Sequence, residues 1–242
     1  MRVTKTAKHL FITRAEGSKC PVVCVLCDDA GRSLHLHLSP DRPVLAFKHL
    51  GGDGRRITLT RVETIAKAFV DELTEARPNG PYVLVGYSFG GIVAFEMAQQ
   101  LMSAGYDVRS LVLIDSYSPR LHEEAMRQGH NFYSGFKELL LHEVVEQRLR
   151  KGRALSRRLN HQHIIDTYDR ATRAYEANSY PGALAVVKAS KGWGPVDMGW
   201  HSLAEGGFAL EKMPCNHYDI VRAQHLPELA ESIVEVLRIR QC

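Results

Sequence analysis

The chain of 242 residues is long enough for one large domain with a substantial core, and its 45% hydrophobic and 24% charged residues exclude a disordered chain. Lys and Arg exceed Asp and Glu by 31 − 27 = 4, too mild a balance for a nucleic-acid-binding protein, and no aromatic-basic motif accompanies it. No stretch approaches the ~20 apolar residues of a membrane span, and the opening MRVTKTAKHLFI lacks the apolar run of a secretory leader, so the expectation is a cytoplasmic protein without a membrane partner.

Short apolar runs alternate with helical patterns along the chain. Residues 9–13 read as an outer strand, 21–26 (PVVCVL) as a buried one and 43–47 (PVLAF) as a third. Val62, Ile65, Ala66, Phe69, Val70 and Leu73 then recur at helical spacing, with Thr60 and Glu63 of TRVE placed as a capping box. A fourth strand is expected at 82–87 (YVLVGY), followed by a helix through Ile92, Phe95, Glu96, Ala98 and Leu101. Strands follow at 110–115 (SLVLID), 183–189 (ALAVVKA) and 208–213 (FALEKM), and a last helix after Pro227 carries Leu229, Ile233, Val236 and Leu237 on one face. This alternation predicts an α/β fold with a mainly parallel sheet flanked by helices. One block interrupts it. Residues of about 119–178 hold only helical patterns, as at 136–149 and 161–175, and this is longer than an ordinary crossover. It reads as a helical lid over the carboxyl edge of the sheet, within a single domain covering 1–242.

VGYSFGG stands at the passage from the fourth strand to its helix. In so tight a strand-to-helix turn the central residue is strained, and its neighbours must be small because two backbones nearly touch, which accounts for Gly86 and Gly90. The strain holds the Ser88 hydroxyl outward at the amino end of a helix, where the macrodipole favours a developing oxyanion and the Phe89 amide can donate to it. A phosphate-binding loop would end in GK[ST]; Gly90-Gly91-Ile92 does not. Ser88 is therefore the candidate nucleophile, and a neutral serine needs a base and an orienting acid downstream. His217, in PCNHYD between the last strand and last helix, leaves the same edge of the sheet and is the candidate base. Two acids fit: Asp115, ending the strand LVLID, and Asp197, in GPVDMG after the next strand. Either could instead be an ordinary turn aspartate; position favours Asp115.

With these residues placed, the sequence resembles the thioesterase domains that end nonribosomal peptide and polyketide synthases, within the α/β-hydrolase superfamily. HLFITRAEGSKCPVVCV is similar to the family's opening hairpin and ARPNGPYVLVGYSFGGIVAFEMAQQL to its nucleophile elbow. LVLIDSYSP resembles the strand bearing the catalytic aspartate, which maps onto Asp115, and MGWHSLAEGGFALEKMPCNHYDIV the tail bearing the histidine, which maps onto His217. The resemblance implies release of an acyl or peptidyl chain from the phosphopantetheine arm of a carrier protein, by hydrolysis or cyclisation, with no cofactor of the domain's own. It also implies a second oxyanion donor in an HPxGG-like loop after the first central strand. Here that loop reads LCDDAGRS, and Asp28 aligns with the donor position. Its amide would serve, but the Asp28 and Asp29 carboxylates oppose an oxyanion, and loss of one donor costs ~100-fold or more. A small-molecule carboxylesterase and a weakly catalytic editing or acyl-binding partner are the alternatives.

Other features have plainer readings. The five cysteines, an odd and scattered set, are expected to be reduced, and the lone Cys24–Cys27 pair reads as packing. His35, His37, His161 and His163 lack the framework of a metal site. Arg148, Arg150, Lys151, Arg153, Arg157 and Arg158 form a solvated face or a surface that steers an acidic carrier. Trp193 and Trp200 flank Asp197 and either border an acyl pocket or pack.

Overall fold

The computed structural model describes residues 8–25, 33–127 and 138–239. Seven strands form one sheet: β1 (Leu10–Arg14), β2 (Val22–Val25), β3 (Val44–Phe47), β4 (Tyr82–Tyr87), β5 (Val108–Ile114), β6 (Leu184–Ala189) and β7 (Phe208–Met213), ordered β1-β3-β2-β4-β5-β6-β7. Among the described strands only β1 runs antiparallel, pairing with β3; the other neighbours are parallel. The helices are α1 (Val62–Ala76), α2 (Phe89–Ser103), α3 (Pro119–Arg127), α4 (Glu138–Arg150), α5 (Arg157–Arg173) and α6 (Leu226–Ile239).

The continuous apolar strands of the sequence are explained by burial on both faces, as parallel sheets require. Successive side chains alternate sides. Val23, Leu45, Leu84, Leu111 and Val186 join α1, α2 and Tyr168 of α5 in one cluster, whereas Val22, Val44, Val83, Val112 and Ala185 join Leu229, Ile233 and Val236 of α6 in the other. On α1 the expected apolar face is the buried one, with Phe69 stacked on Phe47 at 4.3 Å between centroids. The expected capping box is not formed. Arg61 is the N-cap residue and no side chain caps the helix. The Glu63 carboxylate is instead taken by the Arg61 guanidinium at 2.9 Å, a charge-assisted bond stronger than one to a neutral amide.

Among the described residues three helices, α3 to α5, lie between β5 and β6. His122 of α3 bonds Asp169 of α5 at 2.9 Å, and Arg173 reaches the same carboxylate at 2.7 Å. Burial opposes the charge on Asp169, but these partners outweigh it and hold the carboxyl below its usual range. The α4–α5 turn is seated on the loop after β3 through the Leu155 N–H, which donates to the Gly54 carbonyl at 2.8 Å. Cys24 and Cys215 are buried thiols. Cys20 is disulfide-bonded, which corrects the expectation that every thiol is reduced. Among the described residues no helix is long and apolar enough to cross a membrane.

Candidate active site

β4 and β5 are adjacent and parallel, with Tyr87 opposite Ile114, so the residues that follow them, Ser88 and Asp115, emerge side by side at the carboxyl edge. The Ser88 N–H donates to the Ile114 carbonyl at 2.9 Å. Both residues have left-handed backbones, φ 53° at Ser88 and φ 41° at Asp115, a conformation costing about 1–3 kcal/mol each that clusters at functional sites. Packing enforces it at Ser88. A Cβ on Gly86 would lie 2.3 Å from the Gly90 carbonyl oxygen, and one on Gly91 would lie 2.4 Å from Ser116 Oγ. Ser88 is the N-cap residue of α2, yet its hydroxyl makes no capping bond, and the residue is half-buried.

Asp115 is buried at 2% exposure. One carboxylate oxygen accepts the Ala189 N–H at 3.0 Å and the other faces His217 Nδ1 at 2.6 Å. An ionised carboxylate only accepts, so Nδ1 carries the proton and Nε2 is left as the basic nitrogen. The imidazole is fixed from two further sides. Its ring stacks on Tyr87 at 5.0 Å, and the Tyr87 hydroxyl donates to the His217 carbonyl at 2.9 Å. Asn216 Oδ1 accepts the Tyr218 and Asp219 N–H groups at 3.0 Å, which shapes the turn. No hydrogen bond joins Ser88 Oγ to His217 among the described residues. The side chain at the amino end of α2 is also held: Phe89 stacks on Tyr168 of α5 at 4.1 Å, and the Tyr168 hydroxyl accepts the Leu50 N–H at 3.0 Å.

The family model described as thioesterase domain matches residues 32–237. The chain belongs to the thioesterase domain family. Its relatives include nonribosomal peptide and polyketide synthases. It is 25% identical over 244 residues to malpibaldin synthetase of Mortierella alpina, covering 95% of this chain and 4% of that protein. Identity to vanchrobactin synthetase VabF of Vibrio anguillarum is 28% over 214 residues, covering 83% of this chain and 7% of that protein. The chain thus spans less than a tenth of the length of either curated relative. Among solved structures it shares the fold of the NocB thioesterase domain, with a TM-score of 0.70 at 20% identity, covering 95% of this chain and 99% of that one.

Within this thioesterase domain Asp197 is not brought to the histidine. Its Oδ1 accepts the Gly199 N–H two residues on at 3.3 Å and its carbonyl the Trp200 N–H at 3.0 Å, the pattern of a turn aspartate. Trp200 is fully buried against Phe95 and donates from its indole to the Ser116 carbonyl at 2.7 Å. Trp193 offers its carbonyl to the Tyr117 hydroxyl at 2.7 Å and to Lys188 Nζ at 2.9 Å. Burial, reinforced by the Asp115 charge, pushes the Tyr117 hydroxyl well above its ordinary range, and burial pushes the Lys188 ammonium down against the pull of Asp115. His163 is buried, with Nε2 3.5 Å from the Ile57 amide, and burial lowers its proton affinity. Asp28, Asp29 and Cys27 lie outside the described residues. The sequence reading missed Tyr87, Asn216, Gly91 and Tyr168. Only Tyr87 and Gly91 carried a local signal, by lying within the VGYSFGG turn itself.

Proposed function

We propose that this domain releases an acyl or peptidyl chain from the phosphopantetheine arm of a carrier protein through a Ser88–His217–Asp115 triad. The observation that carries the reading is the hydrogen bond from half-buried His217 to buried Asp115, which leaves Nε2 basic at the sheet edge where the strained Ser88 emerges. Ser88 Oγ attacks the thioester carbon while His217 Nε2 takes its proton. The tetrahedral oxyanion accepts the Phe89 N–H, the first amide of α2, which lies too early in the helix for an intrahelical acceptor. The family resemblance assigns the second donor to the Asp28 amide. The carbon–sulfur bond then breaks and the pantetheine sulfur leaves with the proton from His217. Water, or a hydroxyl or amine of the acyl chain, next attacks the Ser88 ester; His217 takes its proton and returns it to Ser88. The open Ser88–His217 link is compatible with this, because catalytic hydrogen bonds of empty enzymes are often long and tighten on binding.

The insert of about 119–178 serves as the lid in this reading. Because a thiolate leaves readily, the demanding step is the choice of second nucleophile, which a lid controls by excluding water. The NocB thioesterase domain forms a covalent complex with a fluorophosphonate nocardicin G analog. The test is therefore a fluorophosphonate probe followed by peptide mapping. Labelling at Ser88 that disappears in folded Ser88→Ala is expected, and a folded wild type that resists labelling overturns the nucleophile assignment. Turnover of an acyl-pantetheine thioester should exceed that of the matching oxygen ester; the reverse preference supports a carboxylesterase.

A further inference from the structure

The charge of this chain is concentrated in one place. Residues 148–158 hold Arg148, Arg150, Lys151, Arg153, Arg157 and Arg158 and no acid, so the remainder carries 31 − 6 = 25 cations against 27 acids. A protein of net charge +4 is therefore a mildly acidic body with one basic promontory. Arg150, Lys151, Arg153, Arg157 and Arg158 are exposed, and none of the five makes a salt bridge among the described residues. Neighbouring cations behave differently: Arg56 pairs with Glu146 at 2.9 Å, and Arg148 donates to the Ala154 carbonyl at 3.3 Å.

The position of this patch is fixed relative to the nucleophile. It comprises the end of α4, the following turn and the first residues of α5. Leu155 and Asn160 tie that turn to the loop after β3, at 2.8 Å to Gly54 and 2.9 Å to Gly51. Further along the same helix Tyr168 rests on Phe89, next to Ser88. The 11 steps from Arg157 to Tyr168 rise roughly 16 Å at 1.5 Å per residue. The patch thus sits at the amino end of α5 and the candidate active site beside Tyr168, about three turns further on, a separation that a thioester on a long flexible arm can bridge.

We infer that the exposed face formed by Arg150, Lys151, Arg153, Arg157 and Arg158 is the docking surface for an acidic face of the protein that carries the thioester. The inference rests on the carrier-dependent reading above and adds where the partner sits. Exposed cations clustered in one short stretch of chain and in no salt bridge raise the encounter rate with an anionic surface, and exposed charges act strongly only at low ionic strength, the Debye length being about 10 Å at 0.1 M.

The test compares the wild type with the triple variant Arg153→Glu, Arg157→Glu, Arg158→Glu. Glutamates at 157 and 158 lie in the first turn of α5 and suit its dipole, and residue 153 is exposed in the preceding turn, so the fold should be retained, as circular dichroism would show. The first readout is the Kd for a fluorescein-labelled acidic carrier protein bearing phosphopantetheine, at 50 and 500 mM salt. The second is hydrolysis of octanoyl-N-acetylcysteamine, a thioester with no carrier. The variant should bind the carrier at least about tenfold more weakly at 50 mM salt, with the difference collapsing at 500 mM, and hydrolyse the small thioester within about twofold of wild type. Equal carrier binding by both proteins overturns the proposal. So does loss, in the variant, of binding to anionic vesicles or DNA with carrier binding unchanged, which would assign the patch to another polyanion. A wild type that binds no carrier and leaves the small thioester intact overturns the thioesterase reading and the docking surface together; one that hydrolyses the small thioester yet binds no carrier overturns the surface alone.

Discussion

Replacing Asp115 by Asn keeps the shape of the site and removes its logic. The two carboxylate oxygens face two donors, the Ala189 N–H at 3.0 Å and His217 Nδ1 at 2.6 Å. An asparagine has one oxygen and one NH2. With its oxygen toward Ala189, the NH2 donates to Nδ1 and forces the His217 proton onto Nε2, where the ring can no longer take one from Ser88. With its oxygen toward His217, the NH2 opposes the Ala189 N–H in a site where Asp115 is only 2% exposed, leaving two donors unsatisfied at about 1–3 kcal/mol each. The first arrangement is the cheaper, so the wrong tautomer should dominate. The expected loss in kcat is roughly 10,000-fold, as for a triad aspartate turned to asparagine elsewhere, or about 5.5 kcal/mol of barrier. The assay is single-turnover hydrolysis of an acyl-pantetheine thioester at pH 7.5, with circular dichroism to establish that the variant is folded. A folded Asp115→Asn that retains a tenth of wild-type activity would refute the assignment of Asp115 as the acid and the tautomer argument with it.

Other substitutions probe the supports of the site. Gly91→Ala places a Cβ 2.4 Å from Ser116 Oγ and should cost about 1–3 kcal/mol in urea unfolding. Gly86→Ala meets backbone, the Gly90 carbonyl at 2.3 Å, and should cost more; a smaller loss at Gly86 than at Gly91 would show that the elbow yields. Tyr168→Phe keeps the stack on Phe89 but strands the buried Leu50 N–H, so a loss of about 1–3 kcal/mol is expected, a fall in Tm of roughly 2–4 °C per kcal/mol. His163 is buried and burial depresses its proton affinity, so the unfolded chain binds the proton more readily than the folded one. Its stabilisation is complete above the unfolded pKa of about 6.5 and declines as the pH falls below it. Thermal melts between pH 7.5 and 5 should therefore fall less steeply in His163→Gln than in wild type, and parallel slopes would exclude this group as the source.

The sequence alone determined the alternation of elements, because burial of a parallel sheet on both faces writes itself as apolar runs, seen in the correspondence of YVLVGY and ALAVVKA with β4 and β6. It also located the strand-to-helix turn at Ser88 and the close backbone approach at Gly86, but gave no sign that the Ser116 side chain presses on Gly91 as well. Local pattern favoured Asp115, which follows β5 directly, over Asp197, which lies in a turn eight residues past β6, but it could not show which of them meets the imidazole. That was decided by strand order, which sets β5 between β4 and β6 and so delivers Asp115 to His217 from 102 residues away. The failed capping box at Thr60 has the same origin in miniature, a stronger partner for Glu63 than the motif supposes. Tyr168 and Tyr87 had no periodic signature of function, because their contacts lie across the fold. Periodicity reports which face of an element is buried, whereas only the packed chain decides what that face meets.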